Sequence, residues 1–446
     1  MFPSFESSTG SPFLYFCSAI FGLAILHTMS VNWIHKWARQ LDIRSHSKER
    51  SFGVQILYFL SEVEVVFGFW VIPLFIGFGL TYGWSAALEY INSRNYLEPV
   101  FVVVIMSLAA TRPIVRLSER ALRFVAQLLG GSLSAWWLSL LTIGPLLGSF
   151  ITEPGAMALS ALLLSRQFYE HQPSPRLAYA TLALLFVNVS VGGILTHFAS
   201  PAVLVLAHAW NWDIFYMLST FGWKAATGIV LANFAYWILF RRELHDLNRR
   251  YQLATRVYTP KPEDPEHPIP RWITLVHLFF IFAVISVSEY PAIFVAVYLF
   301  FLAFHHATRI HQSSIQLVRP LLVGFFLSGL VIHGGLQAWW VIQAFQHLEP
   351  VHVMFAAMGL TAFNDNTMIS YLATLVPNWG ALFQYAIFAG VVAGGGLTVI
   401  ANAPNPAGYV ILSRHFKGGI SHWQLFKAAL LPTLILYAIF YFFSPL

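Results

Sequence analysis

The chain has 446 residues, of which 57% are hydrophobic and only 10% charged, with a mean hydropathy of +0.66. A soluble protein of this length needs far more charge to cover its surface, so the apolar excess implies lipid contact and excludes a soluble domain. The net charge of +6 does not point to nucleic acid, because the basic residues fall in short loops between apolar runs, as in the cytoplasmic loops of membrane proteins.

Residues 1–12 lack the positive start of a signal peptide, so the first apolar run reads as a retained span. A single cysteine, Cys17, excludes an intrachain disulfide. Apolar runs long enough to cross or enter about 30 Å of hydrocarbon fall at 12–31, 52–81, 98–112, 134–165, 177–209, 214–240, 272–288, 290–304, 320–345, 350–376, 380–412 and 424–443. Lys36, Arg39, Arg44, Lys48 and Arg50 place the first loop in the cytoplasm and the N-terminus in the periplasm. Residues 82–97, with one Arg, read as outside; Arg112, Arg116, Arg120 and Arg123 return the chain inside.

The run 134–165 has basic segments on both sides, with Arg166 and Arg176 following it, so it is expected to enter and leave on the cytoplasmic side. Its polar tip at 148–155 supplies the turn. The segment 241–271 carries seven Lys/Arg and reads as a cytoplasmic linker. The run 350–376 has no Lys or Arg at either edge and reads as a second hairpin, dipping in from outside. Arg414 and Lys417 then bring the chain back to the cytoplasm before the last span.

The expected fold is an all-α polytopic membrane protein with about ten transmembrane helices, two re-entrant hairpins and two interrupted helices. Its first half, 1–240, holds the hairpin 134–165 and the interrupted helix 177–209; its second, 272–446, holds the hairpin 350–376 and the interrupted helix 380–412. The first half starts outside and the second inside, so the two are expected to be inverted repeats. The segment GGILTHFASP at 192–201 matches GGGLTVIANA at 394–403, with Pro404 one residue late. At the hairpins Glu153 pairs with Asp365, Ala161 with Ala373 and Leu163 with Leu375.

Backbone within hydrocarbon must be hydrogen-bonded internally, so a broken helix survives only where it lines a polar cavity. The segments 188–193 and 394–406 are such breaks, and half-helix ends there offer carbonyls to a cation or N–H groups to an anion. Asp365, among Asn364, Asn366 and Thr367, and Glu153, beside Thr152, are acids between apolar arms, where a carboxylate is costly and usually functional. Carboxylate, amide and hydroxyl oxygens suit a hard monovalent cation, and a buried carboxylate also takes a proton; one group that binds either ion is the minimal device for exchange. The competing role for either acid is a plain helix N-cap. Asn188, Thr196, Thr398 and Asn402 add oxygen ligands within the breaks. Glu62 and Glu64, two residues apart on one helix, point in different directions, and with His197 and His333 they are candidate proton relays. For both histidines the competing role is a hydrogen-bonded packing residue. No Walker A or His-Glu-x-x-His pattern occurs, so the chain is expected to be no enzyme and to need no cofactor.

The strings at 61–68 (SEVEVVFG), 152–157 (TEPGAM), 188–198 (NVSVGGILTHF), 333–337 (HGGLQ) and 361–367 (TAFNDNT) resemble those of a sodium/proton antiporter family within the ion transporter superfamily. They span about residues 50–412. The resemblance implies a scaffold and a transport domain with alternating access, and a homodimer in the bilayer of a bacterial inner membrane. Relatives that carry dicarboxylates with sodium show Ser-Asn-Thr at both hairpin tips, whereas this chain has Thr152-Glu153-Pro154 and Asp365-Asn366-Thr367. Acids at both tips repel a dicarboxylate. The expected function is exchange of sodium for protons, both as transported ligands, with a sodium-coupled symporter of an anion or small organic acid as the alternative.

Overall fold

The computed structural model describes residues 11–45, 51–257, 268–345 and 348–445. Lys48, Arg50 and the 258–267 part of the linker, used above to orient the chain, lie outside the described residues, as does the N-terminal segment 1–10. Among the described residues the protein is helical, without strands. The first half contains α1 (Pro12–Ser45), α2 (Phe52–Leu60), α3 (Val63–Tyr82), α4 (Trp84–Asn92), α5 (Leu97–Ala109) and α6 (Arg112–Leu128). There follow α7 (Leu133–Ile151), α8 (Glu153–Gln167), α9 (Pro175–Gly192), α10 (Pro201–Ala209), α11 (Ile214–Met217) and α12 (Trp223–Val257). The second half contains α13 (Arg271–Ser286), α14 (Pro291–Ala307), α15 (Val318–Gly334), α16 (Ala338–Phe345), α17 (Pro350–Thr361) and α18 (Asn366–Thr374). It closes with α19 (Ala381–Gly394), α20 (Asn405–Ser413) and α21 (His422–Phe442).

Six helices among the described residues are long and apolar enough to cross a membrane, and up to eight if two bent pairs each count as one span. Those pairs are α5 with α6, bent by 65°, and α15 with α16, bent by 81°. Large apolar side chains such as Trp33, Leu80, Leu239, Phe300 and Phe442 are exposed on the outside of the bundle. A surface of that kind on so hydrophobic a chain is a lipid-facing surface, and the protein is a multi-pass membrane protein.

Two apolar runs do not form single helices. The run 52–81 divides at Ser61 and Glu62, so that α2 folds against α1 while α3 begins anew with Glu62 at its N-cap. The run 320–345 divides at 335–337, after Gly334 and Gly335. Hydropathy alone registers neither break, because the residues at each bend leave the surrounding window apolar.

The helix α9 is the centre of the molecule. Ser174 caps it, its Oγ accepting from Leu177 N at 3.3 Å, and Pro175 opens its first turn. Its apolar window is 100% buried, against 44% for α3, so protein rather than lipid surrounds it on all sides. It packs on α7, α8, α12, α19 and α21, and the helix stops at Gly192 before resuming as α10 at Pro201. The second such helix stops at Gly394 and resumes as α20 at Asn405. The resumed halves cross over: α10 packs on α18, and α20 packs on α8. A second group forms around α3, which packs on α1 and α15, and α5, which packs on α13, α14 and α15. The groups meet where α6 lies on α7, α15 on α18 and α10 on α5.

Candidate functional site

Each hairpin turn is tied to an extended helix break by the same set of contacts. Glu153 N donates to Ala199 O at 3.3 Å, and Asn366 N donates to Ala401 O at 3.0 Å. Thr196 Oγ1 donates to Ser149 O at 2.7 Å, and Thr398 Oγ1 donates to Ala362 O at 2.8 Å. A Cβ on Gly192 would strike the Pro145 carbonyl, and one on Gly394 would strike the Met358 carbonyl. Both helices stop at glycine because only glycine lets backbone approach backbone so closely. The broken helices thus satisfy their stranded groups on the hairpin tips rather than in water, as an interruption within a membrane protein must.

By these contacts Glu153 corresponds to Asn366, and Thr152 to Asp365, one residue away from the pairing read off the sequence. The reason lies in the turns. Thr152 occupies the N-cap position of α8 with a φ of 66°, a strained conformation for a branched residue, and its side chain caps nothing. Asp365 is the N-cap of α18, with Oδ1 accepting from Thr367 N at 2.8 Å. Glu153 instead lies inside the first turn of its helix.

Glu153 is fully buried. Asn402 Nδ2, from the other helix break, donates to its Oε2 at 3.1 Å. Its Oε1 has no hydrogen-bond partner among the described residues. Ser200 Oγ approaches the same carboxyl without hydrogen-bond geometry and is itself unpartnered. Asp365 is buried at 3% exposure and lies within electrostatic reach of Glu153 and of Glu64. Among the described residues no three His, Cys, Asp or Glu side chains converge on a metal-sized position, so any cation here draws on hydroxyl, amide and carbonyl oxygens as well.

The other sequence candidates fall into two sets. Asn188 Nδ2 is shared between Leu141 O and Asn233 Oδ1, both at 2.8 Å, which leaves its buried Oδ1 unpartnered. Asn366 and Thr367 are buried in the first turn of α18, where Thr367 Oγ1 donates to Asn366 Oδ1 at 3.3 Å. Thr196 and Thr398 spend their hydroxyl hydrogens on the hairpin carbonyls and keep only lone pairs. Asn364 is only partly buried, and its Nδ2 reaches back to Leu360 O at 3.5 Å.

Glu62 and Glu64 lie at the start of α3, outside both interrupted helices. Arg319 Nη1 is 3.2 Å from Glu64 Oε1 and 3.7 Å from Glu62 Oε2. The Glu64 side chain is 10% exposed and that of Glu62 47%, so Glu64 is the inner member, and both carboxylates reach the same guanidinium nitrogen. His333 is fully buried with Nε2 3.2 Å from Phe67 O, a packing arrangement between α15 and α3. His197 lies in the first break, with a buried and unpartnered Nδ1, and lines a cavity of about 230 Å³.

Sequence reasoning missed Asn233, Asn405 and Arg319. Asn405 Nδ2 donates to Gly395 O at 2.8 Å and Thr398 O at 2.9 Å, closing the second break. Asn233 is a lone amide within the apolar run 214–240, and that isolation was a usable signal. Arg319 sits one residue before an apolar run, where a lipid-interface cation is the commoner outcome.

Residues 13–443 match a family described as "Putative Na+/H+ antiporter". No curated protein sequence is significantly similar to the chain. A match that omits only the two ends of the chain makes the protein a member of this antiporter family.

Proposed function

We propose that the protein is a secondary transporter that exchanges a monovalent cation, sodium, for protons, and that Glu153 and Asp365 are the groups that bind both. The observation that carries this reading is Glu153 Oε1. A buried carboxylate oxygen without a donor costs several kcal/mol, on the order of a charged group's desolvation, unless a proton or a cation occupies it. It lies where the first hairpin tip meets Asn402 of the second break, beside an unpartnered hydroxyl on Ser200. Asp365 shares its field, so binding a cation or a proton at either acid relieves repulsion at the other.

The two halves act as inverted repeats in this reading. Supporting it, the tip-to-break contacts recur with one displacement along the hairpins, from 153 and 149 to 366 and 362, and a second, shorter one along the breaks, from 199 and 196 to 401 and 398. The hairpins enter from opposite faces, and the group around α9 and α19 moves against the group around α3 and α5 to alternate access. The Arg319–Glu64 pair belongs to the group around α3, with Glu64 within electrostatic reach of Asp365. The protein works as a homodimer in a bacterial inner membrane with its N-terminus in the periplasm.

If one site takes a cation and a proton in turn, the two compete. Each pH unit below the titration of the site weakens apparent sodium affinity about tenfold per proton displaced, or about 1.4 kcal/mol. The test is the sodium affinity of the purified protein between about pH 5.5 and 8.5, spanning the range where such groups titrate, with proton release recorded alongside. An affinity independent of pH, with no proton released, would overturn the exchange reading.

A further inference from the structure

On the face carrying the turns at 93–96, 210–213 and 287–290, the cavity of about 230 Å³ opens between α5, α10 and the α13–α14 turn, and its lining includes Glu98, His197, His208, Asp213 and Glu289. His208, in the last turn of α10, has a carboxylate at each ring nitrogen. Its Nδ1 is 2.7 Å from Glu98 Oε1, and its Nε2 is 3.3 Å from Glu289 Oε2. A neutral imidazole carries one N–H and one lone pair, so it donates to one carboxylate and opposes a lone pair to the other. Only the doubly protonated ring satisfies both.

The three residues are divided between two helix groups. His208 rides on the resumed half of the interrupted helix, which packs on α18, the hairpin arm capped by Asp365. Glu98 opens α5 and Glu289 lies in the α13–α14 turn; α5, α13 and α14 pack on one another. The surroundings hold few other charges that could take over the contact. Glu98 is the only ionisable residue of α5, His208 the only one of α10, and Tyr371 the only one of α18. Asp213 and His197 complete the ionisable lining of the cavity, and Arg94 lies on the turn before α5, over the ring of Tyr90.

We propose that His208 is a proton-operated latch on this face: protonated, it pins the half-helix α10 to Glu98 and Glu289, and on losing its proton it lets go of one of them, freeing α10 and the α18 hairpin arm to part from α5. The site is distinct from the exchange acids, and its ligand is a proton that is not carried across. Its purpose rests on the transporter reading, but the contact itself does not. Exchange is then held back when this face is acidic and released as the pH rises.

The test reads the latch without transport. In a Cys17→Ala background, spin labels are attached to Asn92→Cys and Ala209→Cys, one exposed position in each helix group. The distance between them is measured in nanodiscs of phosphatidylethanolamine and phosphatidylglycerol at about pH 5.5 and 8.5, on either side of an ordinary histidine titration. The expected result is a short, narrow distribution at the acidic pH and a longer, broader one at the alkaline pH. His208→Gln, which cannot carry the charge, should give the long distribution at both values, and His208→Lys, charged at both, the short one. A native distribution that does not change with pH, or a His208→Gln protein that keeps the native shift, would overturn the latch. A shift that follows His208 in a protein that exchanges no cation in vesicles leaves the latch standing and removes the exchange reading instead.

Discussion

Asn402 Nδ2 donates to Glu153 Oε2 at 3.1 Å across 249 residues of chain, so the break in the second interrupted helix holds the acid at the first hairpin tip. This bond joins the two halves at the one buried carboxylate among the described residues that also has an unpartnered oxygen. A hydrogen bond to a charged group contributes about 1.5 to 3 kcal/mol, so Asn402→Ala should weaken apparent sodium affinity by about tenfold to a hundredfold. The measurement is cation-induced dequenching of a pH dye in reconstituted vesicles. Native affinity in a well-folded Asn402→Ala protein would remove the residue from the site.

Asp365 caps α18 through Oδ1, and an asparagine at the same position caps a helix equally well. Asp365→Asn should therefore insert and fold normally while losing exchange, because the charge and the titration go together. A variant of native thermal stability that still exchanges sodium for protons at the native rate would leave Asp365 with capping as its sole role.

Arg319 is the partner of Glu64, whose side chain is only 10% exposed. Arg319→Gln strands that carboxylate; because the Arg319 side chain is itself 60% exposed, water offsets much of the loss, and a destabilisation of about 1 to 2 kcal/mol is expected. Glu64→Gln in the same protein should restore most of it. A double-mutant cycle in thermal denaturation measures the coupling, and additive effects of the two substitutions would show that the pair contributes nothing.

A Cβ on Gly394 would meet the Met358 carbonyl, and backbone cannot swing aside as a flexible side chain can. Gly394→Ala should cost about 1 to 3 kcal/mol, the usual penalty of overpacking, and should lower thermal stability together with exchange. Gly53→Ala, with nothing within 4 Å of the added methyl, is the control and should be neutral or slightly stabilising. Equal melting temperatures for the two variants would contradict the close approach of α19 to the hairpin.

The sequence by itself determined that the chain lives in lipid, that helices stop near Gly192 and Gly394, and that acids sit at two polar turns. All three are local properties. Composition decides the solvent, paired glycines end a helix for want of side-chain packing and backbone restriction, and a carboxylate between apolar arms is conspicuous wherever the arms go. The tertiary structure alone decided who faces whom. It placed Asn402 on Glu153, gave Glu153 the same backbone contact as Asn366 rather than Asp365, gave Arg319 to Glu64 and put His208 between Glu98 and Glu289. Each of these depends on which helix lies across from which. An apolar run states that a helix will be buried or bathed in lipid, but its pattern does not name the opposite helix, and a one-residue change of turn geometry at Thr152 moves the register without altering that pattern.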